Sequence, residues 1–157
     1  MIPEAPFLFS IAGLSASLAG LAGLVAALRR GEGLEPIDLF RLREIVEFAF
    51  ANVLIAVGTV PAAVALGVPK AVQVGGVVAV VYIVAAGLLL ARRRQAWDIA
   101  GSPGWYAIAI AIGLVGIGAA VGSFATGSIA VYEVLLMALL ARPMLAFLLV
   151  LASFDRR

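Results

Sequence analysis

The sequence predicts an all-α protein, a polytopic bundle of about five transmembrane helices, from three observations. Of the 157 residues, 64% are hydrophobic and only 13% are charged, whereas a soluble domain is about half apolar and about one-quarter charged. Uncharged stretches long enough to cross a bilayer recur along the chain. The remaining charges are concentrated in alternate connections between those stretches. Because so small a domain has too little interior to bury this much apolar surface in water, lipid is its expected solvent.

The uncharged stretches define five spans within one membrane domain, residues 1–157. They are expected at about residues 6–28, 44–66, 71–91, 104–124 and 128–154. The long uncharged stretch from Ile99 to Tyr132 is divided at residues 125–128, Ala-Thr-Gly-Ser, which are typical of a turn. The fifth span begins there and is interrupted only by Glu133 and Arg142. The alternative of four spans would need one very long, sharply bent helix through this turn. Before the second span, Pro36 and Asp38 suit the first turn of a helix that enters the membrane from its surface.

The basic residues predict how the chain is oriented. Nine arginines follow the first, third and fifth spans, whereas the alternate connections contain Lys70 alone. These arginines are Arg29, Arg30, Arg41, Arg43, Arg92, Arg93, Arg94, Arg156 and Arg157. Short loops rich in arginine are retained in the cytoplasm. We therefore expect a multi-pass protein of the inner cell membrane, with its N-terminus outside and its C-terminus in the cytoplasm.

Several classes of chemistry are excluded by composition. The chain has no cysteine and no histidine, which excludes disulfides, thiolate catalysis, histidine-ligated metals and a Ser-His-Asp triad. Nucleotide-binding loops and paired catalytic acids are also missing from the sequence. We therefore expect no enzyme activity, no cofactor and no metal. The arginines lie in short loops without interleaved aromatic residues, so nucleic acid is not an expected partner.

Polar residues inside the spans are the candidate functional residues, because each is costly in lipid unless it has a partner. Asn52, Tyr82 and Arg142 are expected at similar depths, about 12–15 Å from the arginine-rich ends of their helices. The arginine cannot lose its charge. Its expected partner is Glu47, which lies about one turn into the second span, with Asn52 and Tyr82 completing a polar cluster.

Two prolines are candidate hinges or kinks, Pro61 and Pro143. The second follows Arg142 directly and removes the hydrogen bond to the carbonyl of Leu139. Two interpretations follow. The polar cluster is either a structural clamp that fixes the register of three helices, which is the favoured interpretation, or the lining of a hydrated pathway beside a broken helix.

A second polar group is expected at the opposite end of the bundle. Glu133 and Tyr132 are candidates for an outer vestibule, where the carboxylate would meet Lys70 or Gln73. Thr59 lies seven residues after Asn52, so the two are expected to share a face of the second span that turns toward the interior.

Small residues at intervals of four predict close helix packing. Gly116, Gly118 and Gly122 are the candidates in the fourth span, and the last two have GxxxG spacing. Ala12, Ala16 and Gly20 form a similar stripe in the first span. These stripes favour a compact bundle, and one of them is expected to face a second subunit.

Two functions are compatible with these features. The first hypothesis is a channel or passive transporter for a small ion or solute, based on the polar cluster and the proline. The alternative is a non-catalytic membrane subunit or scaffold of a larger complex, based on the small-residue stripes and the lack of reactive groups. Membrane lipid and either further copies of the chain or a partner membrane subunit are the expected partners.

Overall fold

Five long helices make up the computed structural model, which describes residues 3–29, 36–92 and 103–154. The helices are α1 (Ala5–Leu28), α2 (Pro36–Leu66), α3 (Val68–Arg92), α4 (Pro103–Thr126) and α5 (Ile129–Phe154). All five are long and apolar enough to cross a membrane, and no strand occurs in these ranges. The predicted all-α membrane bundle is therefore confirmed.

Four of the helices begin and end within three residues of the predicted spans. The exception is α2, which begins at Pro36 with Asp38 in its first turn. The expected surface helix and the second span are thus one continuous helix of 31 residues, about 46 Å long at 1.5 Å per residue. Since this exceeds the ~30 Å of a bilayer core, one end of α2 must extend beyond the hydrocarbon.

Two glycines with positive φ form the short turns between helices. Gly67 (φ 82°) separates α2 from α3, and Gly127 (φ 63°) separates α4 from α5. Each donates its N–H to the carbonyl four residues earlier, on Ala63 and Ser123 respectively. Left-handed glycine is a common way to end a helix because it lacks a Cβ. The break at Gly127 excludes the four-span alternative.

The centre of the bundle is α5, which contacts each of the other four helices. Each helix also packs against the next helix in the chain, so α2 contacts α1 and α3 in addition to α5. The main core contains Leu8 of α1, Ile55 of α2, Val72 of α3, Ala120 of α4 and Leu135 of α5. Exposed Val and Leu side chains cover much of the outside, as expected for a surface in contact with lipid.

The described helices bring basic residues to one end of the bundle. Arg29 follows α1, Arg41 and Arg43 lie near the start of α2, and Lys70 lies near the start of α3 at the opposite end. Arg92, which was also used to predict the orientation, is the last residue of α3. The other five arginines used for that prediction lie outside the described residues: Arg30, Arg93, Arg94, Arg156 and Arg157.

Candidate functional site: an ion pair and two interior hydrogen-bond groups

The most prominent polar contact in the bundle joins Arg142 of α5 to Glu44 of α2. The Nε of Arg142 donates to Oε1 of Glu44 over 2.9 Å, and the two side chains are 18% and 16% exposed. The prediction that Glu47 is the partner of Arg142 is therefore wrong. Glu47 accepts instead from Arg43, one turn earlier on the same helix, at 2.5 Å in an exposed position.

Helix geometry explains the change of partner. Glu44 and Glu47 are three residues apart, so their side chains point in directions about 60° apart around α2. Glu44 is on the side that turns toward α5, together with the buried Ile45 and Phe48, whereas Glu47 is exposed. Depth along the helix therefore places both acids near the arginine, but only one of them faces it.

An aromatic pair completes the surroundings of Arg142. Its Cζ lies over the ring of Phe48, 4.4 Å from the centroid. Tyr82 of α3 packs edge-on against the same ring, with centroids 5.3 Å apart and planes at 77°. Cation–π and edge-to-face contacts are favourable in this geometry. The Tyr82 hydroxyl is within electrostatic range of Glu44, Glu47 and Arg142. The structure thus brings the predicted residues Tyr82 and Arg142 together, and it adds Glu44 and Phe48 to them.

Asn52 belongs to a separate, deeper group. It is fully buried, and its Nδ2 donates to Ser15 Oγ of α1 at 3.0 Å and to the Leu136 carbonyl of α5 at 3.3 Å. Its Oδ1 is buried without a hydrogen-bond partner. Asn52 is eight residues beyond Glu44, about 12 Å along α2. It therefore holds three helices together and does not bond to the Arg142 ion pair.

Tyr132 is buried in the core, so its predicted place in an outer vestibule is wrong. Its hydroxyl lies 2.5 Å from Thr59 Oγ1 and 3.4 Å from the Ile55 carbonyl. Thr59 in turn donates to that carbonyl at 2.7 Å. The phenol can enter the core because its one polar group is hydrogen-bonded there. Thr59 and Asn52 are both buried, which confirms that they share the interior face of α2.

Glu133 does not form the predicted contact with Lys70 or Gln73. Glu133 is half-buried and Lys70 is exposed, and in the described part of the chain neither makes an ion pair or a side-chain hydrogen bond. Consecutive residues of a helix point about 100° apart. Because Tyr132 points into the core, Glu133 is directed away from the core, toward the edge of the bundle.

Both candidate hinge prolines lie inside continuous helices. Pro143 is fully buried in α5 and Pro61 is exposed in α2. Neither residue has an N–H, so each interrupts the helical hydrogen bonding at one position. Since α5 continues to Phe154, the broken helix of the pathway interpretation is not observed. A bending role for these residues stays a prediction.

Glycines fall into two groups according to what a side chain would meet at each position. A Cβ at Gly116 would lie 3.6 Å from Ile83, and one at Gly122 would lie 3.0 Å from Val131. Gly116 and Gly122 therefore permit the close helix packing that was predicted for the fourth span. Gly118 is exposed, with no heavy atom within 4 Å of a Cβ, so its predicted packing role within the bundle is wrong.

Two glycines on α3 permit closer contacts that were not predicted from the sequence. A Cβ at Gly76 would lie 2.8 Å from the carbonyl oxygen of Ala120 in α4, and one at Gly75 would lie 2.5 Å from the Tyr132 hydroxyl. The adjacent glycines were the available sequence signal. The contacts that these two glycines permit depend on which helix lies opposite α3, and the sequence does not specify that helix.

The outward side of α1 has the opposite character. Exposed small residues lie there among the exposed leucines Leu14, Leu21, Leu24 and Leu28. No heavy atom of the described residues lies within 4 Å of a Cβ at any of the glycines on this side. We call this the α1 outer face: Gly13, Ala16, Ser17, Gly20, Gly23 and Ala27. Ser17 donates to the carbonyl of Gly13 in its own helix at 2.9 Å.

In comparisons with known proteins, no family model, curated protein or solved structure matches this chain.

Proposed function

We propose that the chain is a non-catalytic membrane subunit whose α1 outer face packs against a transmembrane helix of a second polypeptide. The observation that supports this function is the exposed stripe of small residues on α1. Glycine within a helix costs about 0.5–1 kcal/mol relative to alanine. Glycines such as Gly76 and Gly122 offset that cost by allowing contacts inside the bundle, whereas Gly13, Gly20 and Gly23 make no such contact.

A helix from another chain would supply the missing contact. In lipid, helices associate mainly through close backbone packing, which small residues permit. The side chain of Ser17 is already bonded within α1, so it presents little bulk or unsatisfied polarity to a partner. The interior of the bundle also supports a structural role. Its buried hydroxyls bond within the chain, as Thr59 does to Ile55 and Ser123 to Ala119.

Replacing Gly20 by leucine is expected to weaken association at least about tenfold, because a bulky side chain would separate the two helix backbones. Stability of the isolated chain should be unchanged, since a Cβ at Gly20 meets nothing. Co-purification after gentle solubilisation, followed by sedimentation in detergent, measures both the partner and the stoichiometry. Retained association would count against the proposal.

Gly87→Leu is the matched control, because Gly87 is equally exposed and open but lies on α3. It should leave association intact. Gly118→Leu tests the exposed side of α4 in the same way. If that variant dissociates the complex and Gly20→Leu does not, the interface lies on α4.

We further propose that the arginine-rich end of the bundle faces the cytoplasm of a cell bounded by an inner membrane. The support is the positive-inside rule, together with the placement of Arg29, Arg41 and Arg43 opposite Lys70. Because the chain has no cysteine, single cysteines at Lys70 and at Arg43 report sidedness without interference. Membrane-impermeant thiol reagents should label only the Lys70→Cys variant in intact cells; labelling of Arg43→Cys alone would reverse the orientation.

A channel or passive transporter for a small ion or solute is the second candidate. It is supported by the free Oδ1 of Asn52 deep in the bundle, since polar groups inside a span often mark pathways, and by the charged pair Glu44–Arg142 nearer the end of the bundle. Flux of a panel of ions and small solutes into liposomes containing the purified chain tests it. A panel without any protein-dependent signal would exclude this candidate for those solutes.

A further inference from the structure

Arg142 and Tyr82 carry hydrogen-bond donors that no atom of the described residues accepts. A guanidinium has five N–H groups, yet Arg142 donates to the protein through Nε alone. Within the described residues, its two Nη nitrogens and the Tyr82 hydroxyl form no hydrogen bond. Both side chains contact the Phe48 ring, from its face and from its edge. Donors left without acceptors in an apolar setting are costly, so an acceptor from outside the chain is expected.

The neighbouring carboxylates do not supply that acceptor. Glu44 accepts from Nε of Arg142, and Glu47 accepts from Nε of Arg43. Each acid is therefore already paired with an arginine, and the charges of the four side chains cancel. The free donors remain on the far side of the guanidinium, held in place by the Nε bond and by the Phe48 ring.

The depth of the ion pair indicates what can reach these donors. From Glu44 to Leu66, the last residue of α2, is about 33 Å at 1.5 Å per residue. The hydrocarbon core of a bilayer is about 30 Å thick. With the outer end of α2 at one boundary, Glu44 lies at the other boundary, where lipid phosphates are found. The Arg142 side chain is 18% exposed, so part of it is accessible from outside the bundle.

We propose that the Nη groups of Arg142 and the hydroxyl of Tyr82 bind the phosphate of an anionic phospholipid headgroup. Phosphate oxygens are acceptors, and the planar guanidinium fork matches them through two parallel hydrogen bonds. Both donor side chains contact the same Phe48 ring. The described arginines at this end of the bundle, Arg29, Arg41 and Arg43, favour a negatively charged headgroup over a neutral one.

Lipid binding can be measured on the purified full chain in neutral detergent. Dioctanoyl phosphatidylglycerol is titrated while the midpoint of thermal unfolding is followed, which gives an apparent affinity. Tyr82→Phe is expected to weaken this affinity about tenfold or more, the value of one hydrogen bond to a charged group. Arg142→Lys is expected to weaken it about tenfold or more, because lysine keeps the charge but lacks the planar fork.

Two controls carry the same chemical changes elsewhere. Tyr132→Phe removes a hydroxyl that is bonded inside the core, and Arg43→Lys changes an arginine paired with Glu47. Both should leave lipid affinity unaltered. If Arg142→Lys does not fold, Tyr82→Phe still decides, because the hydroxyl it removes makes no hydrogen bond to the part of the chain that the structure describes.

Parallel titrations identify the source of the phosphate. Inorganic phosphate and dioctanoyl phosphatidylcholine at matched concentrations should raise the midpoint far less than phosphatidylglycerol. If inorganic phosphate is equally effective, the lipid source is wrong. If phosphatidylcholine is equally effective, the requirement for an anionic headgroup is wrong. No response to phosphatidylglycerol, or the same response in Tyr82→Phe and the original chain, would leave water as the acceptor and overturn the proposal.

Discussion

Replacing Gly76 by alanine is expected to destabilise the bundle by about 1–3 kcal/mol, the usual cost of forcing extra volume into a packed contact. The added Cβ would lie 2.8 Å from the carbonyl oxygen of Ala120 and 3.3 Å from the backbone nitrogen of Phe124. Both are backbone atoms of α4, so a change of side-chain rotamer cannot relieve the clash. The two helices would have to move apart, and every contact between them would weaken.

Gly87→Ala is the matched control for this prediction. It is in the same helix, but a Cβ there has no heavy atom within 4 Å. Alanine should be neutral or slightly stabilising at this position, by up to about 1 kcal/mol, because it is the better helix former. Unfolding by sodium dodecyl sulfate in mixed micelles measures both variants. Equal stability of Gly76→Ala and Gly87→Ala would show that α3 and α4 do not approach closely at Gly76.

The fold could be predicted because lipid imposes length and polarity on every span. Long uncharged stretches ended by charges or by a turn give the helix limits almost directly, as for α1 between Glu4 and Arg29. Pro36 and Gly127 mark a helix start and a helix break through their own backbone constraints. These signals are local, so they need no knowledge of what lies opposite each helix.

The partners within the bundle could not be predicted in the same way. Depth counted along a helix places Glu44 and Glu47 equally near Arg142, but it does not specify the rotation of α2. Tyr132 and Glu133 are adjacent in sequence, yet only Tyr132 faces Thr59. A choice between such neighbours depends on the packing of α2 against α5, which is a tertiary property.

Glycine spacing has the same limit. The GxxxG pair Gly118 and Gly122 predicts a packing stripe, but α4 turns Gly118 outward and places Gly116 against Ile83 and Ala138. A spacing of four identifies small residues on one side of a helix. It does not indicate whether that side faces the bundle, a second chain or lipid.

Replacing Arg142 by glutamine is expected to destabilise the chain by about 3 kcal/mol, because Glu44 would keep a largely buried charge without its partner. Adding Glu44→Gln should recover most of this loss, since two amides can hydrogen-bond without a charge. Unfolding in neutral detergent without anionic lipid measures the ion pair separately from any bound headgroup. Arg43→Gln, which breaks the exposed pair with Glu47, should cost less than about 1 kcal/mol.

The double variant also separates the clamp from the pathway, because it removes both charges and leaves an uncharged amide at each position. If the ion pair only clamps α2 to α5, the variant should be nearly as stable as the original chain and its flux in liposomes should be unchanged. If the pair lines a pathway, flux or selectivity should change in a stable protein. An Arg142→Gln variant as stable as the original chain would contradict the clamp, since it would mean that Glu44 is well solvated without the arginine.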